Sequence, residues 1–278
     1  MLSTGRPAGP AFEPGAGSAG PPVLEVDLGP GVRAGFTTRH GGASPAPWAS
    51  LNLGLGVGDE PARVRANRQL VSGWLGAPVR LATQVHGTTV LTIGPSGRED
   101  AGSSSVGPDS VGTADVLVAS ARSAGREAAV GVLVADCVPV LLADPVGQVV
   151  ASAHAGRRGL ADGVVAAALR AMVDAGARAD RVRAVVGPCA CARCYEVPAT
   201  MRDDVATSRP TTWSTTSWGT AALDLAAGVE SDLVACGVLD VRRVASCTIE
   251  DERFFSHRRA TRVGQRTGRF AGVVALTA

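Results

Sequence analysis

Three observations predict an α+β fold in a single compact domain. A chain of 278 residues with 45% apolar content can bury a sizeable core. Short β-rich apolar runs mix with helical stretches, but not in the strict strand–helix alternation of a doubly wound sheet. No internal repeat of about 20–50 residues is visible. Residues 1–22, rich in Gly, Pro, Ala and Ser, cannot bury surface and are expected to be a disordered tail, leaving residues 23–278 as the domain.

Taken in order, Val32–Thr37 is the first clear strand, followed by a loop rich in Gly, Ser and Pro. Asp59 is a good N-cap for a helix over residues 60–75, with Pro61 in its first turn and Gly76 after its end. Val79–Thr83 and Thr88–Ile93 are short strands flanking Gln84-Val85-His86-Gly87. Residues 94–112 are a loop of freely variable length. Strands follow at 115–120, 130–134, 138–142 and 149–153, then a helix over 160–175 closed by Gly176. The remainder reads as strand 182–186, helix 199–206, a loop to residue 220, helix 222–236, strand 241–245, a polar stretch to Arg269 and strand 270–276.

Between two of these strands, Asp144-Pro145-Val146-Gly147 has the residue order of a type I turn, so residues 138–153 read as a hairpin. If residues 144–147 form the whole loop, Cys137 faces His154, close enough to share an ion or a proton. If Gly147 makes a bulge, the register slips by one and the two side chains point apart. Pro139 cannot donate to a ladder, which predicts an irregular or edge position.

The charge balance is close to neutral. Net charge is +2 with no block of like charges, so nothing favours nucleic acid or an anionic membrane as a partner. Every basic residue is Arg, which reads as coding bias. No run approaches the roughly 18 apolar residues of a membrane span, and the N-terminus lacks an apolar signal core. Six cysteines without an export signal are expected to be thiols or metal ligands, in the cytoplasm.

Two of the four histidines, His86 and His154, sit where an apolar strand meets glycine. Each alone is ordinarily a buried structural residue. Together with Cys137 they would make a catalytic zinc site, with three ligands and one open position. The alternative is a metal-free Cys137 nucleophile with His154 or His86 as base and Asp136 orienting it. Cys189, Cys191 and Cys194 in GPCACARC show no fourth ligand and read as small buried thiols. The H-x-E and P-C-x-x-C pattern of cytidine deaminases is absent. Gly54-Leu55-Gly56-Val57-Gly58 lacks dinucleotide-binding spacing. Arginines in glycine-rich loops (Arg39, Arg157-Arg158, Arg258-Arg259) suit phosphate or carboxylate binding.

The blocks Phe36-Thr37-Thr38-Arg39-His40-Gly41-Gly42, Leu51-Asn52-Leu53-Gly54, Asn67-Arg68, Gln84-Val85-His86-Gly87, Ala135-Asp136-Cys137-Val138-Pro139, His154-Ala155-Gly156, Gly187-Pro188, Tyr195-Glu196-Val197 and Phe254-Phe255-Ser256-His257-Arg258-Arg259 come in a familiar order. They resemble the laccase-domain or polyphenol oxidase family, also called peptidoglycan editing factors and associated with purine nucleoside phosphorylase and adenosine deaminase activity. The resemblance spans residues 36–274. It implies layered mixed β-sheets flanked by helices and a catalytic Zn2+ held by His86, Cys137 and His154. It also implies purine nucleosides as substrates (adenosine, inosine, guanosine and methylthioadenosine), with phosphate or water as co-substrate. Arg157 stands where the family usually has Trp, which puts substrate preference in question.

On this reading residues 23–278 are a catalytic domain. Arg39 and Asn52 are candidates for substrate contacts, Cys137 and Asp136 are the candidate catalytic residues, and Glu196 is a second candidate acid. Two other functions compete: a Cys/His hydrolase editing wrongly built cell-wall precursors, and a copper-dependent phenol oxidoreductase. The latter normally needs several coppers with many His, and four cannot supply them.

Overall fold

β-branched runs buried on both faces dominate this chain, and they assemble into two mixed sheets stacked on one another. The computed structural model describes residues 20–94, 109–124 and 129–277. In chain order its strands are Val23–Val26 (β1), Val32–Thr37 (β2), Val79–Arg80 (β3), Val90–Thr92 (β4), Val116–Ser120 (β5), Ala129–Val134 (β6), Val138–Asp144 (β7), Val149–Ala155 (β8), Arg183–Val186 (β9), Trp213–Thr215 (β10), Ala221–Leu223 (β11), Asp240–Arg243 (β12) and Phe270–Leu276 (β13). The helices are Pro61–Leu75 (α1), Ala121–Ala124 (α2), Arg157–Ala161 (α3), Val164–Asp174 (α4), Ala199–Ser208 (α5), Leu225–Ala235 (α6) and His257–Arg262 (α7).

Of the two stacked sheets, one runs β1-β2-β13-β6-β3 and the other β12-β9-β7-β8-β5-β4, while β10 and β11 form a separate antiparallel pair. Both stacked sheets are antiparallel in the middle, with parallel pairs at the margins (β3 with β6, β4 with β5, β12 with β9). Side chains alternate between two cores along each central strand, as a period of two requires. From β7, Leu141 and Ala143 enter the core between the sheets, beside Phe36, Val130, Phe270 and Val274. Val138, Val140 and Leu142 enter the core under α4 and α6. From β13, Ala271, Val273 and Ala275 pack against Val71 and Leu75 of α1. The layers are therefore α1, sheet, sheet, then α4 with α6. This is a single α+β domain of layered mixed sheets flanked by helices, and among the described residues no helix is long and apolar enough to cross a membrane.

Local chemistry explains where the sequence expectations and the structure differ. Residues 1–19 of the expected tail and 95–108 of the expected loop lie outside the described residues. Just before Val23, the Pro22 carbonyl accepts the Thr38 amide at 3.2 Å. Asp59 does not cap α1 with its side chain: its carboxylate takes the Glu60 amide and the Asn52 amide group, each at 2.8 Å. The helix expected over 160–175 is two, α3 and α4, broken where Gly163 takes φ 92°. The helix expected from residue 222 begins at Leu225, capped by Asp224, because residues 221–223 pair with β10 instead. The polar stretch before Arg269 contains α7, whose N-cap Ser256 accepts the Arg259 amide. Pro139 lies not at an edge but in a central strand, where its carbonyl accepts the Gly187 amide at 2.8 Å and only the reciprocal bond, for which proline has no N–H, is forgone at the end of the β7–β9 ladder.

Candidate metal centre

The hairpin register sets Cys137 against His154, though not as direct neighbours. Asp144 accepts the amides of Val146 and Gly147 at 3.0 and 2.8 Å, so it stays in the strand and residues 145–148 make the turn, with Gln148 at φ 51°. Asp144 then pairs with Val149 and Val138 with Ala155. One further step would set Cys137 opposite Gly156, leaving His154 as its diagonal neighbour on the same face. Neither register expected from the sequence is the one observed. Cys137 lies in the crossing from one sheet to the other, after Asp136 at φ 95°.

His86 arrives from the loop between β3 and β4. Its φ of 62° is uncommon for a residue with a side chain, and it turns the amides of Val85, His86 and Gly87 together. They converge on the fully buried Asp115 carboxylate at 3.3, 2.9 and 2.7 Å. The same carboxylate binds Nδ1 of His154 at 2.8 Å. One buried anion thus fixes the His86 loop and leaves Nε2 of His154 to face the site. This is the outer-shell support usual for metal-ligating histidines. The imidazoles meet edge to face with centroids 4.7 Å apart, and Cys137 Sγ is 3.7 Å from His86 Nε2. One donor atom from each of His86, Cys137 and His154 lies within 4.8 Å of the others, as binding one metal ion requires. Gly156 is needed beneath them, because a Cβ there would lie 2.6 Å from the His86 ring.

Burial alone would raise the Cys137 thiol, but hydrogen bonds from His154 and His86 outweigh it and bring its pKa down to about 6. Burial would likewise lower His154, yet the bond to Asp115, then that to Cys137, lifts it to about 9. A thiol with a depressed pKa is a thiolate above that pH and loses the charge as pH falls through it. With a chelator present, the rate of Cys137 alkylation by iodoacetamide is therefore expected to have its midpoint near pH 6 and to level off before pH 8. A rate still climbing past pH 8, as for an ordinary thiol, would contradict this.

These three side chains form part of the wall of a cavity of about 630 Å³, within the usual range for small-molecule sites. Gly54, Val57, Arg68, Gln84, Asp109, His257 and Arg269 also line it. Arg68 donates to the carbonyls of Leu53 and Asp109, and Arg269 to that of Gly268. Burial lowers the pKa of both guanidinium groups, and among the described residues neither forms an ion pair.

Several candidates from the sequence are not on this wall. Asn52 is completely buried, and its amide is spent on Gly54, Asp59 and the Arg269 amide, so it shapes the 54–57 loop. Arg39 donates to the Ala49 carbonyl and stacks on Phe255 at 4.9 Å. The Asp136 carboxylate is held by the Thr248 hydroxyl and the Arg258 amide, both at 2.6 Å. Glu196 bridges to Ala222, and Arg157 opens α3. None of the five lines the cavity. Conversely, Arg68 and His257 stood inside the blocks quoted for the resemblance without being given a role, and Arg269 and Asp115 carried no distinguishing local signal; Asp115 looked merely like the start of a strand.

A family model described as multi-copper polyphenol oxidoreductase laccase matches residues 33–277. The chain is 48% identical over 245 residues to a protein of Streptomyces griseus named purine nucleoside phosphorylase, covering 87% of this chain and 93% of that one. It is 38% identical over 252 residues to one of the same name from Pseudomonas aeruginosa, covering 88% and 93%. Among solved structures it resembles a Neisseria meningitidis protein (TM-score 0.78, 34% identity, 92% of this chain and 99% of that one). It also resembles YlmD from Geobacillus stearothermophilus (TM-score 0.74, 32% identity, 90% and 93%).

Proposed function

From a chain that belongs to the multi-copper polyphenol oxidoreductase laccase family, we propose a zinc-dependent purine nucleoside phosphorylase that also deaminates adenosine. The observation that carries the reading is a His-Cys-His donor set opening into a cavity of about 630 Å³ that two half-buried arginines, Arg68 and Arg269, also line. The names of its relatives agree with it. The substrates are adenosine, inosine, guanosine and methylthioadenosine, with phosphate or water as the second reactant.

His86, Cys137 and His154 would hold the zinc, a set of two imidazoles and one thiolate that leaves a tetrahedral ion one open position. When bound, the ion supplies Lewis acidity toward an oxygen of substrate or solvent. In phosphorolysis a phosphate oxygen bonds to C1′ while the bond from C1′ to the purine nitrogen breaks, its electron pair leaving with the base. Arg68 and Arg269 hold the phosphate through charge-assisted hydrogen bonds. His257, a cavity imidazole outside the donor set, passes a proton to the departing purine. In deamination, water adds at C6 of adenine and ammonia leaves. Asn52 acts indirectly, by fixing the 54–57 loop and the Arg269 backbone, and Asp136 by fixing the turn that presents Cys137.

The test is incubation with adenosine, with and without inorganic phosphate, followed by chromatography. Inosine is expected without phosphate; with phosphate, adenine, ribose 1-phosphate and, from the inosine formed, hypoxanthine are expected. Absence of phosphate-dependent base release would overturn the phosphorylase reading. Each lost charge-assisted bond is worth about 1.5–3 kcal/mol. Arg68→Ala or Arg269→Ala should therefore raise the KM for phosphate roughly 10- to 100-fold, with a smaller change in kcat. An unchanged phosphate KM in both variants would remove them from this role.

A further inference from the structure

A second cluster of ligating side chains, none of which lines the cavity, joins two turns built alike. In Cys191-Ala192-Arg193-Cys194 the amides of Cys194 and Tyr195 donate to the Cys191 carbonyl at 3.0 and 2.9 Å. In Cys247-Thr248-Ile249-Glu250 the amides of Glu250 and Asp251 donate to the Cys247 carbonyl at 3.1 and 2.8 Å. Each turn thus offers a ligand at its first and fourth positions. A parallel bridge between Cys189 and Cys247 ties the turns together, and the Cys191 amide points at Cys247 Sγ from 3.4 Å. Donor atoms of Cys191, Cys194, Cys247 and Glu250 all lie within 4.8 Å of one another. Cys194 and Cys247 are buried, Cys191 is half-buried, and Glu250 closes the group from the solvent side. Cys189, grouped with them by spacing alone, is not a member, and the ligands that spacing could not supply are Cys247 and Glu250.

We propose that Cys191, Cys194, Cys247 and Glu250 form a second, structural zinc site. Four protein donors leave no open position, the pattern of structural rather than catalytic zinc. Three thiolates and a carboxylate around a divalent ion carry excess negative charge, which the Arg193 guanidinium, 3.6 Å from the Glu250 carboxylate, partly offsets. The site ties down two segments that also grip Asp136: the Ala190 amide donates to its carbonyl at 2.9 Å and the Thr248 hydroxyl to its carboxylate. Metal there would fix the backing of the Cys137 turn without touching substrate.

Zinc is measured by mass spectrometry in full-length protein purified under reducing conditions without added metal. Wild type is expected to hold about two zinc ions per chain, and Cys191→Ser/Cys194→Ser and His86→Ala/His154→Ala about one each. If the cavity donors bind nothing, wild type holds about one, lost only in the cysteine pair, so the two failures are distinguishable. Because the cysteine pair can fail to fold, Co2+ is also titrated into His86→Ala/Cys137→Ala/His154→Ala, where an intense thiolate-to-cobalt band should saturate near one equivalent. Zinc content unchanged in Cys191→Ser/Cys194→Ser, a cobalt titration without that band, or a disulfide among the three cysteines in metal-free protein would overturn the proposal.

Discussion

Replacing Cys137 by Ala is expected to cost at least about 10³-fold in phosphorolysis of adenosine, the scale of several kcal/mol of lost electrostatic stabilisation. The reason is geometric. Sγ of Cys137 is the one anionic donor among the three that converge within 4.8 Å, and two neutral imidazoles hold a divalent ion far less well without it. The fold should survive, since the crossing between β6 and β7 is held by Asp136, through Thr248, Arg258 and Ala190, rather than by the thiol. Circular dichroism and thermal melting of the variant separate the two effects: loss of activity with an unchanged melt is expected. Retention of wild-type phosphorolysis would show that Cys137 neither binds metal nor takes part in the reaction.

Asp115→Asn is expected to damage both the site and the fold. The carboxylate accepts from three successive backbone amides and from His154 Nδ1, and it is wholly buried. An amide keeps one accepting oxygen but turns an NH2 group toward donors, leaving buried N–H groups unpaired at about 1–3 kcal/mol each. Stability should fall by about 2–4 kcal/mol, read by urea denaturation. Metal affinity should fall about 10- to 100-fold, as is typical when the group orienting a ligating histidine is lost. Asp115→Glu is not expected to rescue, because the longer side chain has no room in a fully buried position. An Asp115→Asn protein with wild-type metal affinity would show that His86 and His154 are positioned by something else.

The contrast between these two residues shows what was legible in the sequence. Cys137 stood out because a thiol between two β-branched runs is chemically conspicuous. β2 and β13 have their expected limits, β13 as an unbroken apolar run and β2 despite the exposed Arg33 within it. Asp115 was invisible for the opposite reason: its partners lie about 30 and 39 residues away, and nothing local marks a carboxylate that will be buried. Arg39 and Asn52 were chosen as loop residues within the recognised blocks; the Asn52 amide is taken up by Gly54, Asp59 and the Arg269 amide, while Arg39 gives its Nε to the Ala49 carbonyl and stacks on Phe255. The helix drawn through Gly163 followed apolar periodicity across a residue whose positive φ breaks it. The second cluster was missed because its two turns are 56 residues apart, and only a tertiary contact sets Cys247 beside Cys191.

Diffraction data collected on both sides of the zinc absorption edge, from crystals grown without added metal, test the cavity donors most directly. An anomalous peak bonded to one nitrogen of His86, Sγ of Cys137 and Nε2 of His154, with its remaining side toward Arg68 and Arg269, is the predicted result. Three side chains bonded only to one another, with no anomalous scatterer among them, would contradict it.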